Sequence, residues 1–389
     1  MAAKTRAKKK KRRDKAEIFN DYNFIFIIAF LLVFGIVMIY SASSYEALQK
    51  FGDSAYYLKK QILAVGMGVG AMFIVSRIPY HFWERFALIG YLLSTALIFG
   101  VLTPLGIESH GARRWIAIPG IGLQIQPAEI CKLAMILFLA VLICKMGKSI
   151  KTMKAFLLII FLAAIPAFFI WQVTDNMSSA IIILGIAALM LFVASPDYKK
   201  FLVIGAGAIL LVTGLVMYII QLDFAKDFRF RRIQIWLHPE SDSQGTGFQT
   251  LQGLYAIGSG GVLGKGLGRS MQKLSFLPEA QNDMIFSIIC EELGLFGAIA
   301  VILMFIMLIW RMMIIATNAN DLFGAMLVVG VIGHIAIQVV LNIAVVTNTI
   351  PNTGISLPFI SYGGTSVVFL LIEMGLVLSV ANGIQLKDF

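Results

Sequence analysis

Ten stretches of this chain are long and apolar enough, or nearly so, to cross a lipid bilayer. They run approximately over 24–42, 60–77, 86–103, 128–145, 155–172, 177–194, 201–221, 284–310, 322–346 and 364–381. A helix needs about 20 apolar residues to cross the hydrocarbon core, with roughly 17 as the lower limit. A membrane β-barrel would instead show alternating segments of about ten residues. Runs such as FIFIIAFLLVFGIVMIY alternate nowhere, so the spans are helices. Only 14% of the 389 residues are charged and 59% are hydrophobic, against roughly 25% charged in a soluble domain. This excludes an ordinary soluble domain, a disordered chain and a collagen-like repeat. The expected fold is all-α: a polytopic membrane protein of ten transmembrane helices.

Orientation follows from Lys and Arg. Nine of them precede the first span, no small-residue cleavage site follows a short apolar core, and residues 1–20 therefore read as a retained basic tail. On a membrane chain such a run holds the tail in the cytoplasm and touches anionic lipid, so membrane lipid is an expected partner and nucleic acid is not. With the N-terminus inside, the predicted cytoplasmic pieces carry nineteen Lys and Arg, against five outside once the long loop 222–283 is set aside. Long loops translocate largely regardless of charge. The domain plan is a cytoplasmic tail (1–20), a ten-helix domain (21–384) and a cytoplasmic C-terminal piece (385–389), N-in and C-in. The large loop 222–283 then lies outside, between helices seven and eight. Loops 103–127 and 347–363 share that face. All three are rich in Gly, Pro, aromatic and charged residues, so chemistry is expected there.

The long loop leads through LYAIGSGGVLGKGLGRSMQKLSFLPEAQNDMIFSIICEELGLFG, residues 254–297. Its glycines do not make a Walker loop, because Ser259 stands where the first Gly belongs and Gly266 follows Lys265. A tight re-entrant turn and a phosphate contact both fit, and Lys265, Arg269 and Lys273 make the segment basic. Asp283 stands just before span eight. It fits a helix cap or a general base in a partly desolvated site. Glu291 and Glu292 follow, roughly 12–13.5 Å further along a helix. Charge at such depth is functional or paired, and a basic partner from another span is expected. Glu129 and Lys132 share one face of span four. Glu373 lies near the middle of span ten, and His334, Gln338 and Asn342 form a polar stripe on span nine. These groups should face the bundle interior, with His334 a hydrogen-bonded core residue. No second His stands at metal-binding spacing, so no transition-metal site is expected. Cys131, Cys144 and Cys290 read as small hydrophobes. Arg113 and Arg114, beside Trp115, suit forked contacts to a diphosphate or interfacial anchoring.

HGARRWI, QPAEICKLA, GSGGVLGKGLG, LPEAQNDMIFSIICEELG and PNTGISLPFISYGGTS, in that order, resemble the SEDS family (shape, elongation, division and sporulation; the FtsW, RodA and SpoVE type). The resemblance covers about residues 20 to 384 and leans to the division or sporulation branch. It implies a ten-helix peptidoglycan glycosyltransferase of the bacterial cytoplasmic membrane that polymerises lipid II on the outer face. Its expected partner is a class B penicillin-binding protein, a transpeptidase. Asp283 falls on the family's catalytic carboxylate, with Asn282 where Thr is often found. Arg113, Arg114, Glu129 and Lys132 also fall on family motif positions. DNMSSA, residues 175–180, departs from the pattern: Asn176 replaces an Asp, and whether Asp175 substitutes is left open. The implied chemistry is a single inverting displacement that makes a β-1,4 bond and releases undecaprenyl diphosphate. Arg113, Arg114, Lys132, Lys265 and Arg269 are candidates to stabilise the leaving charge, with Glu129 beside Lys132. No cofactor is assigned; a divalent cation (Mg2+ or Mn2+) could share that task, although the sequence shows no complete ligand set. The rival readings are a lipid II flippase, lined by Glu129, Lys132, Glu373 and the His334 stripe, and a scaffold that recruits a transpeptidase.

Overall fold

The computed structural model describes residues 21–384, apart from 110–111, 118–123, 196–198, 218–227, 243–244, 275 and scattered positions from 200 to 216. The basic tail, the C-terminal piece and much of predicted span seven lie outside the described residues. The helices are α1 (Tyr22–Phe51), α2 (Tyr56–Arg77), the single turn α3 (His81–Glu84), α4 (Ala87–Ile98, extended by a 3-10 turn to Leu102), α5 (Pro127–Met146), α6 (Met153–Thr174) and α7 (Met177–Ala194). After them come α8 (Phe228–Leu237), α9 (Thr246–Gly260), α10 (Ile285–Thr317), α11 (Leu322–Val346) and α12 (Gly364–Gly383). Among the described residues, eight of these are long and apolar enough to cross a membrane, and Ala87–Leu102 is a shorter apolar helix.

Local chemistry sets the ends. The side chains of Asp21, Thr152, Asn176 and Asp321 accept the free N–H groups at the starts of α1, α6, α7 and α11. Gly52 ends α1 in the left-handed conformation. α12 packs along α2, and α11 packs against α5, α7 and α10. α11 and α12 are the most buried of the long helices.

Two polar ties measure the bundle. At one end Arg311 Nε donates to both carboxylate oxygens of Asp21, at 2.8 and 2.6 Å. At the other, Ser41 Oγ donates to Glu292 at 2.7 Å. Twenty residues of helix separate Asp21 from Ser41, roughly 30 Å or one hydrocarbon thickness. α1 and α10 thus run antiparallel. Glu291 and Glu292 lie roughly one hydrocarbon thickness from the Asp21–Arg311 pair, at the opposite boundary of the bundle rather than midway through it.

Three expectations change. Loop 103–127 is not helical or irregular throughout. It holds a three-stranded antiparallel sheet of β1 (Gly106–Ser109), β2 (Ala112–Ala117) and β3 (Gln124–Ile125), with an irregularity between Ile107 and Glu108. Ile107, Trp115, Ile116 and Ile125 supply the β-branched and aromatic content that favours strands.

Span eight is not continuous. α10 breaks at Gly294 (φ 67°, ψ −163°), where the glycine-rich segment pairs with it like a strand. Lys265 N donates to Glu291 O and Gly266 N to Glu292 O, both at 2.9 Å, and Leu295 N returns to Gly261 O at 3.0 Å. Backbones this close leave no room for a side chain: a Cβ on Gly294 would lie 2.3 Å from Gly264 N.

Loop 347–363 is more than an outer connection. Its Ile355, Leu357, Phe359 and Ile360 are buried. A Cβ on Gly35, midway along α1, would sit 2.5 Å from Phe359 O. Gly35 is fourteen residues above Asp21, about 21 Å of helix, so the loop dips roughly a third of the way into the bilayer. Non-helical backbone at such depth must find partners inside the protein. The polar stripe of α11 provides them. Gln338 Nε2 donates to Ser356 O at 3.0 Å, and Asn342 Nδ2 donates to Ile355 O at 2.6 Å and to Asp283 O at 2.9 Å.

Candidate active site

Asp283 sits at the N-terminal end of α10, two residues before its first turn. It does not cap the helix, because Met284 holds that position without a side-chain bond. Its carboxylate instead meets other outer elements. Gln249 of α9 donates through Nε2 to Asp283 Oδ1 at 3.3 Å and to Pro278 O at 3.3 Å. Asn352 donates through Nδ2 to Gln249 Oε1 at 3.1 Å. The Cβ direction of Gly354 points toward Asp283 Oδ2, 3.8 Å away. A narrow crevice lined by Ile235, Trp236, Thr246, Thr250, Asn348 and Asn352 opens beside this group.

Burial, and next the charge of Glu279, push the Asp283 carboxyl up to about 7; its backbone hydrogen bond, Gln249 and Arg114 pull the other way. A carboxylate half-ionised at neutral pH is well matched to take a proton in a transition state.

The two arginines part company. Arg114 is tied to the end of α6, donating to Thr174 O at 3.3 Å and to Asp175 O at 2.8 Å. Its charge acts on Asp283 and favours the ionised carboxylate. Arg113 is exposed and meets Glu108 at 3.4 Å. In the departing DNMSSA segment, Asn176 caps α7 by accepting from Ser179 N at 3.0 Å. That task needs only a side-chain oxygen. Asp175 contributes its carbonyl to Arg114, and Ser178 donates to Thr353 O. The α6–α7 turn therefore braces both Arg114 and the re-entrant loop.

The remaining candidates form three groups. Glu129 and Lys132 pair at 2.8 Å, both buried. Lys132 Nζ also reaches Gln338 Oε1 at 3.4 Å, which links the pair to the re-entrant loop. His334 Nδ1 lies 2.8 Å from Glu373 Oε2, again fully buried. Glu291 and Glu292 take their basic partners from the outer loop, not from another span. Lys265 Nζ meets Glu291 at 2.7 Å and Lys273 Nζ meets Glu292 at 2.7 Å. Ser270 Oγ and Met271 N also donate to Glu291. The reason is the Gly294 break, which brings segment 259–273 and its lysines over the carboxylates, while span one contributes the Ser41 hydroxyl to Glu292. Lys265 is thereby held at Glu291 and Arg269 is exposed, roughly 12 Å of helix beyond Asp283. Gln249, Asn352 and Glu279 complete the surroundings of Asp283, and no periodicity marked them. Their only signal is polarity inside glycine- and proline-rich stretches of loops assigned to one face. Among the described residues no three His, Cys, Asp or Glu gather to hold a metal ion.

Comparison with known proteins follows the same outline. The profile of the family FTSW_RODA_SPOVE, described as "Cell cycle protein", matches residues 22–385. The chain is 39% identical over 363 residues to Stage V sporulation protein E of Bacillus subtilis, covering 93% of this chain and 97% of that one. It is 37% identical over 367 residues to "Probable peptidoglycan glycosyltransferase FtsW" of Trichlorobacter lovleyi, covering 94% of each. Among solved structures, a chain from "Structural coordination of polymerization and crosslinking by a peptidoglycan synthase complex" superposes with a TM-score of 0.76 at 27% identity, over 95% of this chain and 99% of that one. The rod shape determining protein RodA of Thermus thermophilus shares the fold, with a TM-score of 0.66 at 23% identity over 96% of this chain and 100% of that one.

Proposed function

The chain belongs to the FtsW, RodA and SpoVE family, and on that premise we propose that it is a peptidoglycan glycosyltransferase. It polymerises lipid II into β-1,4 glycan on the outer face of the bacterial cytoplasmic membrane, for division or sporulation. In this reading ten helices span the membrane with both termini inside, the seventh falling in 201–221. A class B penicillin-binding transpeptidase is its partner; the similarity to a chain of a peptidoglycan synthase complex supports that pairing.

The observation that carries the reading is Asp283: a carboxyl raised to about 7, at the outer end of α10, under the charge of Arg114. Asp283 takes the proton of the acceptor's N-acetylglucosamine 4-hydroxyl. The oxygen bonds to the anomeric carbon of the donor's N-acetylmuramic acid, and the bond from that carbon to the diphosphate oxygen breaks. The electron pair leaves with undecaprenyl diphosphate. Arg114, fixed by two carbonyls and already oriented, stabilises the charge that develops there. Preorganisation matters because a donor that need not reorient loses nothing at the moment of reaction. A flippase would use the buried column of Glu129, Lys132, His334 and Glu373. Those groups are paired with one another, and Gln338 and Asn342 are engaged by loop backbone, which favours catalysis over passage.

The test is direct. Purified protein, alone and with its cognate transpeptidase, is incubated with labelled lipid II and the products are run on a gel. A glycan ladder that disappears in Asp283→Asn supports the assignment. A ladder of equal intensity from that variant removes Asp283 as base.

A further inference from the structure

Asp283 is held by a hydrogen-bonded chain whose direction can be settled without seeing a hydrogen. The amide ends of Asn and Gln are interchangeable in shape, so their orientation is normally inferred from the network. Here the network starts from a group that can only donate. Gly354 N–H reaches Asn352 Oδ1 at 3.0 Å. Asn352 therefore turns Nδ2 outward, 3.1 Å from Gln249 Oε1. Gln249 is in turn obliged to present Nε2, which reaches Asp283 Oδ1 and Pro278 O, each at 3.3 Å. Pro278 O can only accept, so both ends of the chain agree.

We propose that Asn352 and Gln249 form a polarity-fixed relay that positions the Asp283 carboxylate, engaging Oδ1 as acceptor and leaving Oδ2 as the oxygen that takes the sugar proton. The relay rests on the base assignment made above. Gln249 and Asn352 are positioning residues that act through Asp283. The geometry supports the division of labour between the two oxygens. Oδ1 faces the amide of α9, while Oδ2 faces Gly354, where the absent side chain leaves unfilled the place a Cβ would take 3.8 Å from that oxygen. The backbone carbonyl of Asp283 is separately held by Asn342 of α11 at 2.9 Å, so the residue is fixed at both its main chain and one carboxylate oxygen.

The groups around Asp283 limit what else could set its titration. Arg114 from β2 and Glu279 from its own loop are the charged ones acting on it. α9, α11 and the 352–354 segment contribute the uncharged Gln249, Asn342, Asn352 and Gly354. Removing a donor to Oδ1 favours the protonated acid and raises its pKa. One hydrogen bond is worth roughly half a pH unit to one unit here. Below the midpoint, activity then falls about three- to tenfold, because fewer molecules carry the base form. Above the midpoint the loss closes.

The experiment uses the full-length enzyme with its transpeptidase and follows initial rates of lipid II polymerisation from pH 5.5 to 8.5. The variants are Gln249→Leu, Asn352→Leu and their combination, with Asp283→Asn as the inactive control. Asn352→Leu adds no charge and removes the donor that fixes Gln249. The Gln249 amide is then free to turn its oxygen on Asp283 and lose the bond to Oδ1. The expected result is an acidic limb moved upward in both single variants, with recovery near pH 8.5 and little further change in the double. A merely structural role would depress rates equally at every pH, and parallel profiles or additive losses would overturn the relay alone. Full activity in Asp283→Asn would overturn the base assignment and the relay with it. Unchanged gel-filtration profiles confirm that each variant is folded.

Discussion

If Asp283 is a base whose pKa the fold raises, removing its charge must stabilise the protein while it destroys the activity. The substitution is Asp283→Asn, which keeps the shape and an acceptor for Gln249. Native Asp283 holds its proton up to about 7, against an ordinary value of 3.8. The unfolded chain ionises first, so the native state is increasingly disfavoured as pH climbs from the unfolded to the folded pKa, and the full cost is present above 7. A rise of that size corresponds to about 4 kcal/mol. The carboxylate is only half-buried, and solvent screening reduces that figure to about 2 kcal/mol. An asparagine side chain at this position avoids the cost. Its advantage should be complete at pH 8 and shrink to about half at pH 4.5, where the native carboxyl is protonated and only part of the cost remains. The buried thiols of Cys131 and Cys290 report unfolding through a thiol-reactive fluorescent dye. Runs at one heating rate compare variants even when unfolding is irreversible. The variant should melt a few degrees higher at pH 8, with a visibly smaller gain at pH 4.5, and make no glycan. A lower melting point at pH 8, or an equal gain at both pH values, would refute the raised carboxyl.

Other perturbations test other parts of the site. Arg114→Ala should lower polymerisation by tenfold or more, the scale of losing one preorganised donor, whereas Arg113→Ala should cost less than threefold; equal losses in initial rate would argue against the division between the two arginines. Gly294→Ala places a Cβ against Gly264 N in a backbone region open essentially to glycine, and the thiol-dye melt should reveal destabilisation of about 3 kcal/mol or failure to fold. Lys273→Met strands the buried Glu292 carboxylate and should cost about 3 kcal/mol, while Lys273→Met with Glu292→Met should recover most of it, since burying an ion pair is often no better than burying an apolar one.

The parts of the fold that could be read in advance are those driven by one-dimensional physics. Spans follow from hydrophobic length, so α2, α5, α6, α7, α11 and α12 lie close to their expected bounds, while α1 runs nine residues past its expected end. Asp283 was visible as a carboxyl at a span boundary. Its surroundings were not, because Gln249, Asn352 and Glu279 lie 34, 69 and 4 residues away and no periodic pattern ties them together. The choice between Arg113 and Arg114 was equally hidden. Adjacent residues on a strand point to opposite faces, and only the sheet decides which one turns toward the carboxylate.

Two features were only partly legible because a chain entering the membrane without forming a helix leaves its evidence on its partners. The stripe His334, Gln338 and Asn342 was expected to face the bundle interior, and it does. Two of the three are committed to the backbone of Ser356 and Ile355, which has no water at that depth and no helix of its own. Glu291 and Glu292 looked like intramembrane acids awaiting a partner from another span. They mark the place where α10 stops being a helix and the glycine-rich segment takes over its hydrogen bonds. The same rule explains both. An apolar run containing several regularly spaced amides, or a pair of carboxylates followed by glycine, implies non-helical backbone nearby that must be satisfied from within. The density of glycine at 258–268 and the PNTG sequence at 351–354 then identify which backbone. It follows that Asp283 is bordered by one of these irregular segments, 351–354, whose main chain at Gly354 carries no side chain between it and the carboxylate.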